Sequence, residues 1–171
     1  MKTSKDVLHS LTQGALLPKE EMLEVGKKKG KLSIGIPKEI TFQENRVALV
    51  PDDVGLLINH GHQVIVETGA GKNSNFQDHD YSEAGAVIAT TAEEVYKNSE
   101  IILKVAPPSM QEIEYMQPKQ TLLSTLQLPA QPENFIKKLL DKKITALAFE
   151  WIKDEDGVYP VIRSMRSEEH T

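Results

Sequence analysis

The chain predicts an α/β fold, a doubly wound and mostly parallel sheet with helices on both faces, preceded by a helical arm. Three observations point there. Short β-rich runs alternate with helix-length segments from Lys31 onward. Those runs are almost wholly apolar, as strands covered on both faces must be. Helix-start signals, a proline or a capping pair followed by acids, recur between them.

Residues 1–31 form the arm. Val7, Leu8 and Leu11 have helical spacing, Gly14 breaks the pattern, and Pro18 opens a second helix that ends at Lys27, Lys28 and Lys29, where cations suit the carbonyl end. "LSIGIP" (32–37) then reads as a strand. "PDDVGLLINHG" (51–61) reads as a helix with Pro51 at its start and Gly61 closing it, and "HQVIVET" (62–68) as the next strand. "QDHDYSEAGA" (77–86) is a short helix before the strand "VIA". "TAEEVYKN" (91–98) opens with Thr91 three residues before Glu94, a capping box. Strands at 100–105, 121–128 and 144–152 alternate with helices at 108–116 and 132–143, the second placing Phe135, Ile136, Leu139 and Leu140 on one face. A β-branched run, Val158 to Ile162, follows, and the chain ends in an all-polar hexapeptide.

Composition narrows the function. The 171 residues carry 20 basic and 25 acidic side chains, a net charge of −5 that opposes binding to nucleic acid or anionic membranes. With no cysteine there is no disulfide framework and no thiolate metal site. The N-terminus lacks an apolar signal region and no run approaches a membrane span, so the expectation is a cytoplasmic protein without membrane insertion.

The phosphate motifs fail. "ETGAGKNSNF" (67–76) follows a strand, but Ser74 stands at the third glycine of G-x-G-x-x-G, and Val66 and Asn73 break the P-loop pattern, so the two glycines predict a tight strand exit. His60, His62 and His79 sit at turns and a helix start without converging on a metal site, so no metal is expected. The informative stretch is "GIPKEITFQENRVALVP" (35–51). Its loop carries Lys38, Glu39, Glu44 and Arg46 and begins where a strand ends, the position of the ligand crevice in an open α/β sheet. Arg46 can hold a carboxylate by two parallel hydrogen bonds, but spacing alone favours a surface salt bridge to Glu39 or Glu44.

"IGIPKEI…ENRVALVP", "GHQVIVETGAG", "DYSEAGA", "EIILKVAPP" and "DGVYPVIRSM" resemble successive blocks of the N-terminal domain shared by alanine dehydrogenases and the α subunit of pyridine nucleotide transhydrogenase. The resemblance covers residues 32–165. It implies a Rossmann-like substrate domain of an NAD(P)-dependent oxidoreductase, and a parent protein that oxidises alanine to pyruvate and ammonia as a homo-oligomer. NAD would bind in a second domain absent from this chain, so this chain alone is expected to be inactive. Arg46 matches the arginine that holds pyruvate, with Lys38, Glu39, Lys104, Gln127 and Gln131 as further candidates to line the site. At two positions the pattern departs. The second lysine of the "LKVKEP" block is Ala106 here, which has no donor, and the histidine of the next block is Gln127, which exchanges no proton near neutral pH. "LPAQPENF" (128–135) instead resembles the transhydrogenase α subunit, which implies a hydride-transfer subunit binding a nicotinamide nucleotide. A catalytically silent binding or regulatory relative is the third reading.

Members continue after Ser-Met into the cofactor domain, whereas here Met165 meets Arg-Ser-Glu-Glu-His-Thr. Those six residues are what the common sequencing-library adapter AGATCGGAAGAGCACACG encodes in frame. This predicts that residues 166–171 are not native and that the chain is the opening piece of a longer protein.

Overall fold

A computed structural model of the chain describes residues 30–167; the helices expected within residues 1–29 and the last four residues of the expected tail lie outside the described residues. Six strands form one parallel sheet: β1 (Ser33–Ile36), β2 (Gln63–Glu67), β3 (Val87–Ala89), β4 (Ile101–Leu103), β5 (Thr121–Ser124) and β6 (Thr145–Ala148). Their order is β3-β2-β1-β4-β5-β6, and every neighbouring pair is parallel. Between them run α1 (Pro51–Asn59), α2 (Asp78–Glu83), α3 (Ala92–Asn98), α4 (Met110–Tyr115) and α5 (Glu133–Asp141), with α6 (Pro160–Ser167) at the end. The doubly wound parallel sheet is the architecture that the apolar runs predict.

Alternation along the strands sends side chains to two cores. Ile36, Val64 and Val66 pack with Val54 of α1 and Tyr81 of α2, whereas Ile65 packs with Val95 of α3. Further along the sheet, Ile102 and Leu122 join Tyr96, Ile113, Met116, Phe135 and Leu139. Gly35 lets α3 approach β1 closely, because a Cβ there would meet Val95 Cγ1 at 2.7 Å and overlap Ser99.

Three expected elements differ at their ends. The strand expected over 121–128 stops at Ser124: Gln127 turns left-handed (φ 45°, ψ 47°) and a 3-10 turn covers Leu128–Ala130. The strand expected over 144–152 stops at Ala148 and becomes a 3-10 turn at Phe149–Trp151. The β-branched run Val158–Ile162 is divided, because Pro160, with its fixed φ and missing N–H, starts α6. At the expected Thr91 box, Thr91 Oγ1 accepts from the Glu94 N–H, while the Glu94 carboxylate reaches back to Thr90. Among the described residues no helix is long and apolar enough to cross a membrane.

Candidate functional site

In this strand order the direction of winding reverses between β1 and β4, so the loops that leave them diverge and open a crevice at the carboxyl end of the sheet. A cavity of about 330 Å³ lies there. Its walls are Arg46–Leu49 from the loop after β1 and Leu103–Val105 from the end of β4, closed by Leu123, Phe149, Ile152 and Val161. Among the residues of these largely apolar walls, Arg46 and Lys104 carry the positive charges.

Lys104 is fully buried, a costly place for an ammonium. It survives because two carboxylates meet it, Glu112 Oε1 at 2.8 Å and Glu39 Oε2 at 3.1 Å. Glu112 stands at the third position of α4, where Ser109 and Glu112 form a reciprocal cap, and its Oε1 also accepts from the Tyr96 hydroxyl (3.1 Å). Glu39 Oε1 accepts from the Val105 N–H at 2.6 Å. Glu39 Oε2 has charge contact with Lys104 but no directional hydrogen bond. Burial raises the Glu39 carboxyl above its ordinary value, and the Lys104 charge and the Val105 N–H oppose that shift. Glu67 is also raised by burial and accepts from the Lys38 N–H (2.8 Å). Burial, then Glu112, push the Tyr96 phenol well up.

Arg46 sits at the exposed side of the cavity. Its Nε and Nη2 donate to the two oxygens of Glu44 at 2.8 and 2.7 Å, which holds Glu44 below the usual carboxylate range. The salt bridge that spacing allowed is thus to Glu44, and Glu39 turns inward to Lys104. Lys38 contributes its backbone N–H while its side chain is exposed, and Ala106 is buried. Gln127 and Gln131 are not among the cavity walls. The Gln127 N–H donates to Glu150 Oε1 (3.0 Å), and Gln131 Nε2 to the Leu126 carbonyl (3.0 Å).

Residues 35–167 match the family described as alanine dehydrogenase/PNT, N-terminal domain. The chain belongs to this family. It is 42% identical over 132 residues to an alanine dehydrogenase from Methanococcus maripaludis, covering 77% of this chain and 35% of that protein. Against the alanine dehydrogenase of Bacillus subtilis the figures are 43% over 132 residues, with 77% and 34% covered. A solved L-alanine dehydrogenase superposes with a TM-score of 0.74 at 36% identity over 78% of this chain and 37% of that one. A solved transhydrogenase from Sinorhizobium meliloti gives 0.64 at 33% identity, over 70% and 34%. The chain therefore spans about a third of the length of the curated relatives it matches.

In this alanine dehydrogenase/PNT domain, sequence reasoning reached Arg46, Glu39 and Lys104 but missed Glu112, Tyr96, Glu67 and Glu150. Glu112 had a local signal, Ser109-x-x-Glu112 ahead of Ile113. Glu67, Tyr96 and Glu150 come from separate elements and leave no pattern in the chain. Among the described residues no cluster of His, Asp or Glu could hold a metal ion.

Proposed function

We propose that this domain receives the carboxylate of an amino acid or 2-oxo acid in the crevice between β1 and β4, as the substrate half of an alanine dehydrogenase-type oxidoreductase that uses NAD. The observation that carries the proposal is Arg46 with Lys104 on one apolar-walled cavity at the sheet's switch point. Arg46 binds the carboxylate; the apolar walls accept a short aliphatic side chain and exclude water. The cytoplasm and a homo-oligomeric assembly belong to the same proposal.

The described residues do not fit a dinucleotide themselves. The exit of β1 runs Pro37-Lys38-Glu39 without a glycine turn, and the donors there are filled by the protein's own carboxylates: Lys38 N–H by Glu67, Val105 N–H by Glu39. Pyrophosphate in that place would meet like charge. The exit of β2 behaves alike, with the Gly69 N–H donating to Asp78 Oδ1 (2.7 Å). NAD would thus be held by residues other than these.

The test is pyruvate reduction by the full protein with and without Arg46→Met. Loss of the paired guanidinium should reduce kcat/KM for pyruvate by about thirtyfold to a thousandfold, with little change in NADH affinity. An unchanged kcat/KM would remove Arg46 and the proposal with it. One observation favours a transhydrogenase-like reading instead: Ala106 offers no donor and Gln127 lies outside the cavity walls. In that case pyruvate does not turn over in the unmodified protein, and hydride exchange between nicotinamide nucleotides is found.

A further inference from the structure

Residues 38–46 join the exit of β1 to the first wall of the cavity, and both ends of this loop are fixed. At the near end Glu39 turns inward to the Val105 N–H and Lys104. At the far end the Glu44 carboxylate takes the Arg46 Nε and Nη2, and the Asn45 carbonyl accepts from Ser74 Oγ at 2.7 Å. Just beyond, the Leu49 carbonyl accepts from the Tyr81 hydroxyl at 2.9 Å. Between these anchors the chain reverses in one turn. The Glu44 N–H donates to the Thr41 carbonyl (3.1 Å) across Phe42 and Gln43. Gln43 takes a positive φ of 63°, as the third residue of a type II turn does, and the anchored ends hold it there.

This turn carries Phe42, 87% exposed and the most exposed large apolar side chain among the described residues, and Ile40 stands two residues before it at 61%. A lone exposed apolar residue is ordinary. Here two sit together, and with Glu39 and Glu44 tied they do not fold back onto their own domain without breaking those contacts. What covers them follows from the reaction. Hydride transfer brings the nicotinamide to within about 3–3.5 Å of the carbonyl carbon, so whatever holds NAD must close over the cavity that holds the 2-oxo acid. The described residues do not fit NAD, and the chain spans about a third of the length of its relatives. The loop borders that cavity, and its tip, Thr41-Phe42-Gln43, is uncharged, which suits an apolar protein surface and not a pyrophosphate.

We propose that Phe42, with Ile40, is a docking contact for the NAD-holding part of the full-length protein, seating in an apolar surface of that part when it closes over the cavity and shutting water away from the reacting carbonyl. This rests on the reading of the cavity given above. The rigid turn presents the ring already ordered, so closure loses little conformational freedom at this contact. Burying a phenylalanine ring favours the closed state by about tenfold to a hundredfold.

The experiment uses the full-length protein and has two arms. In the first, Thr41→Cys is labelled with a maleimide and the adduct at position 41 is followed by peptide mass. Labelling should slow by about tenfold or more when NADH and oxamate, an unreactive isostere of pyruvate, are both present, and adding Phe42→Ser should abolish that protection. In the second, pyruvate reduction at saturating NADH is compared for the parent, Phe42→Ser and Phe42→Leu, each with an intact melting transition. Phe42→Ser should lower kcat/KM for pyruvate by about tenfold to a hundredfold, and Phe42→Leu should keep most of it. Labelling that the two ligands do not slow overturns the inference. So does protection that is present without ligands and disappears on dilution, which assigns the turn to a contact between copies of the chain. A fall in kcat/KM with Arg46→Met but none with Phe42→Ser overturns this inference alone, whereas no effect of Arg46→Met overturns the proposed function.

Discussion

Replacing Lys104 with methionine removes the ammonium from beneath the crevice and keeps most of the side chain's volume. In the folded protein it leaves Glu39 and Glu112 buried without the cation that now lies 3.1 and 2.8 Å from them. Breaking a buried pair by deleting one partner costs about 3–5 kcal/mol, mostly as the penalty on the charge left behind. The low end applies here, because Glu39 keeps the Val105 N–H and Glu112 keeps Tyr96 and the Ser109 N–H. We therefore expect about 3 kcal/mol of lost stability at pH 7. The loss should depend on pH. Burial already raises Glu39 and the Lys104 charge opposes that shift, so without the lysine Glu39 is raised further, folding takes up a proton, and stability falls as pH rises through the folded value. Urea unfolding at pH 7 and pH 5 measures this, and the loss should be smaller at pH 5 than at pH 7. Adding Glu39→Gln to Lys104→Met should recover part of it at pH 7, since the amide is the uncharged shape of the acid. A loss below about 1 kcal/mol at both pH values would refute the view that Lys104 neutralises these acids.

Glu39→Gln alone tests the raised carboxyl in the intact cluster. The folded value lies above the ordinary one, so Glu39 contributes stability fully present at acid pH and lost as pH rises from the ordinary carboxylate range through the raised value. The variant should show a flatter stability–pH curve across that window by urea unfolding, and an unchanged slope would argue against the shift. Gly71→Ala should destabilise by about 1–3 kcal/mol in thermal unfolding, because the new Cβ would lie 2.7 Å from Tyr81 Cε2 and 2.8 Å from Phe76 Cβ and press on the ring that holds the Leu49 carbonyl. A neutral result would mean that the ring moves aside freely.

The sheet was legible because a parallel strand is covered on both faces, so its residues are apolar in succession. That same signal overran two strands. Leu126 is buried and extends the run "TLLSTLQL", yet it lies beyond the end of β5, in a turn whose Gln127 adopts a conformation that nothing in a glutamine announces. Apolarity reports burial, and burial outlasts the strand. Near the cavity, spacing left the salt bridge of Arg46 open between Glu39 and Glu44, and only the fold assigns it to Glu44. The lysine cluster was not legible. Lys104 is met by an acid 65 residues before it and another eight residues after it, and only the fold brings the three together. A capping glutamate looks alike in sequence whether its free oxygen faces water or a buried ammonium.

The division of labour within the crevice follows from where the backbone donors go. At a strand exit that holds phosphate, the amides are left for the ligand and glycine clears the approach. Here Glu39 has accepted the Val105 N–H and Glu67 the Lys38 N–H, so the two exits at the switch point are stitched by the protein's own acids. Lys104 is the counter-charge to that stitching, engaged with Glu39 and Glu112 and buried in the cavity wall. Under the proposed function, recognition of an anion is then left to side chains at the rim, where Arg46 lines the cavity. This explains why the site tolerates alanine at position 106: the buried charges are already balanced around Lys104, and a second buried lysine would need a carboxylate of its own. Arg46, by contrast, is paired with Glu44 and partly exposed.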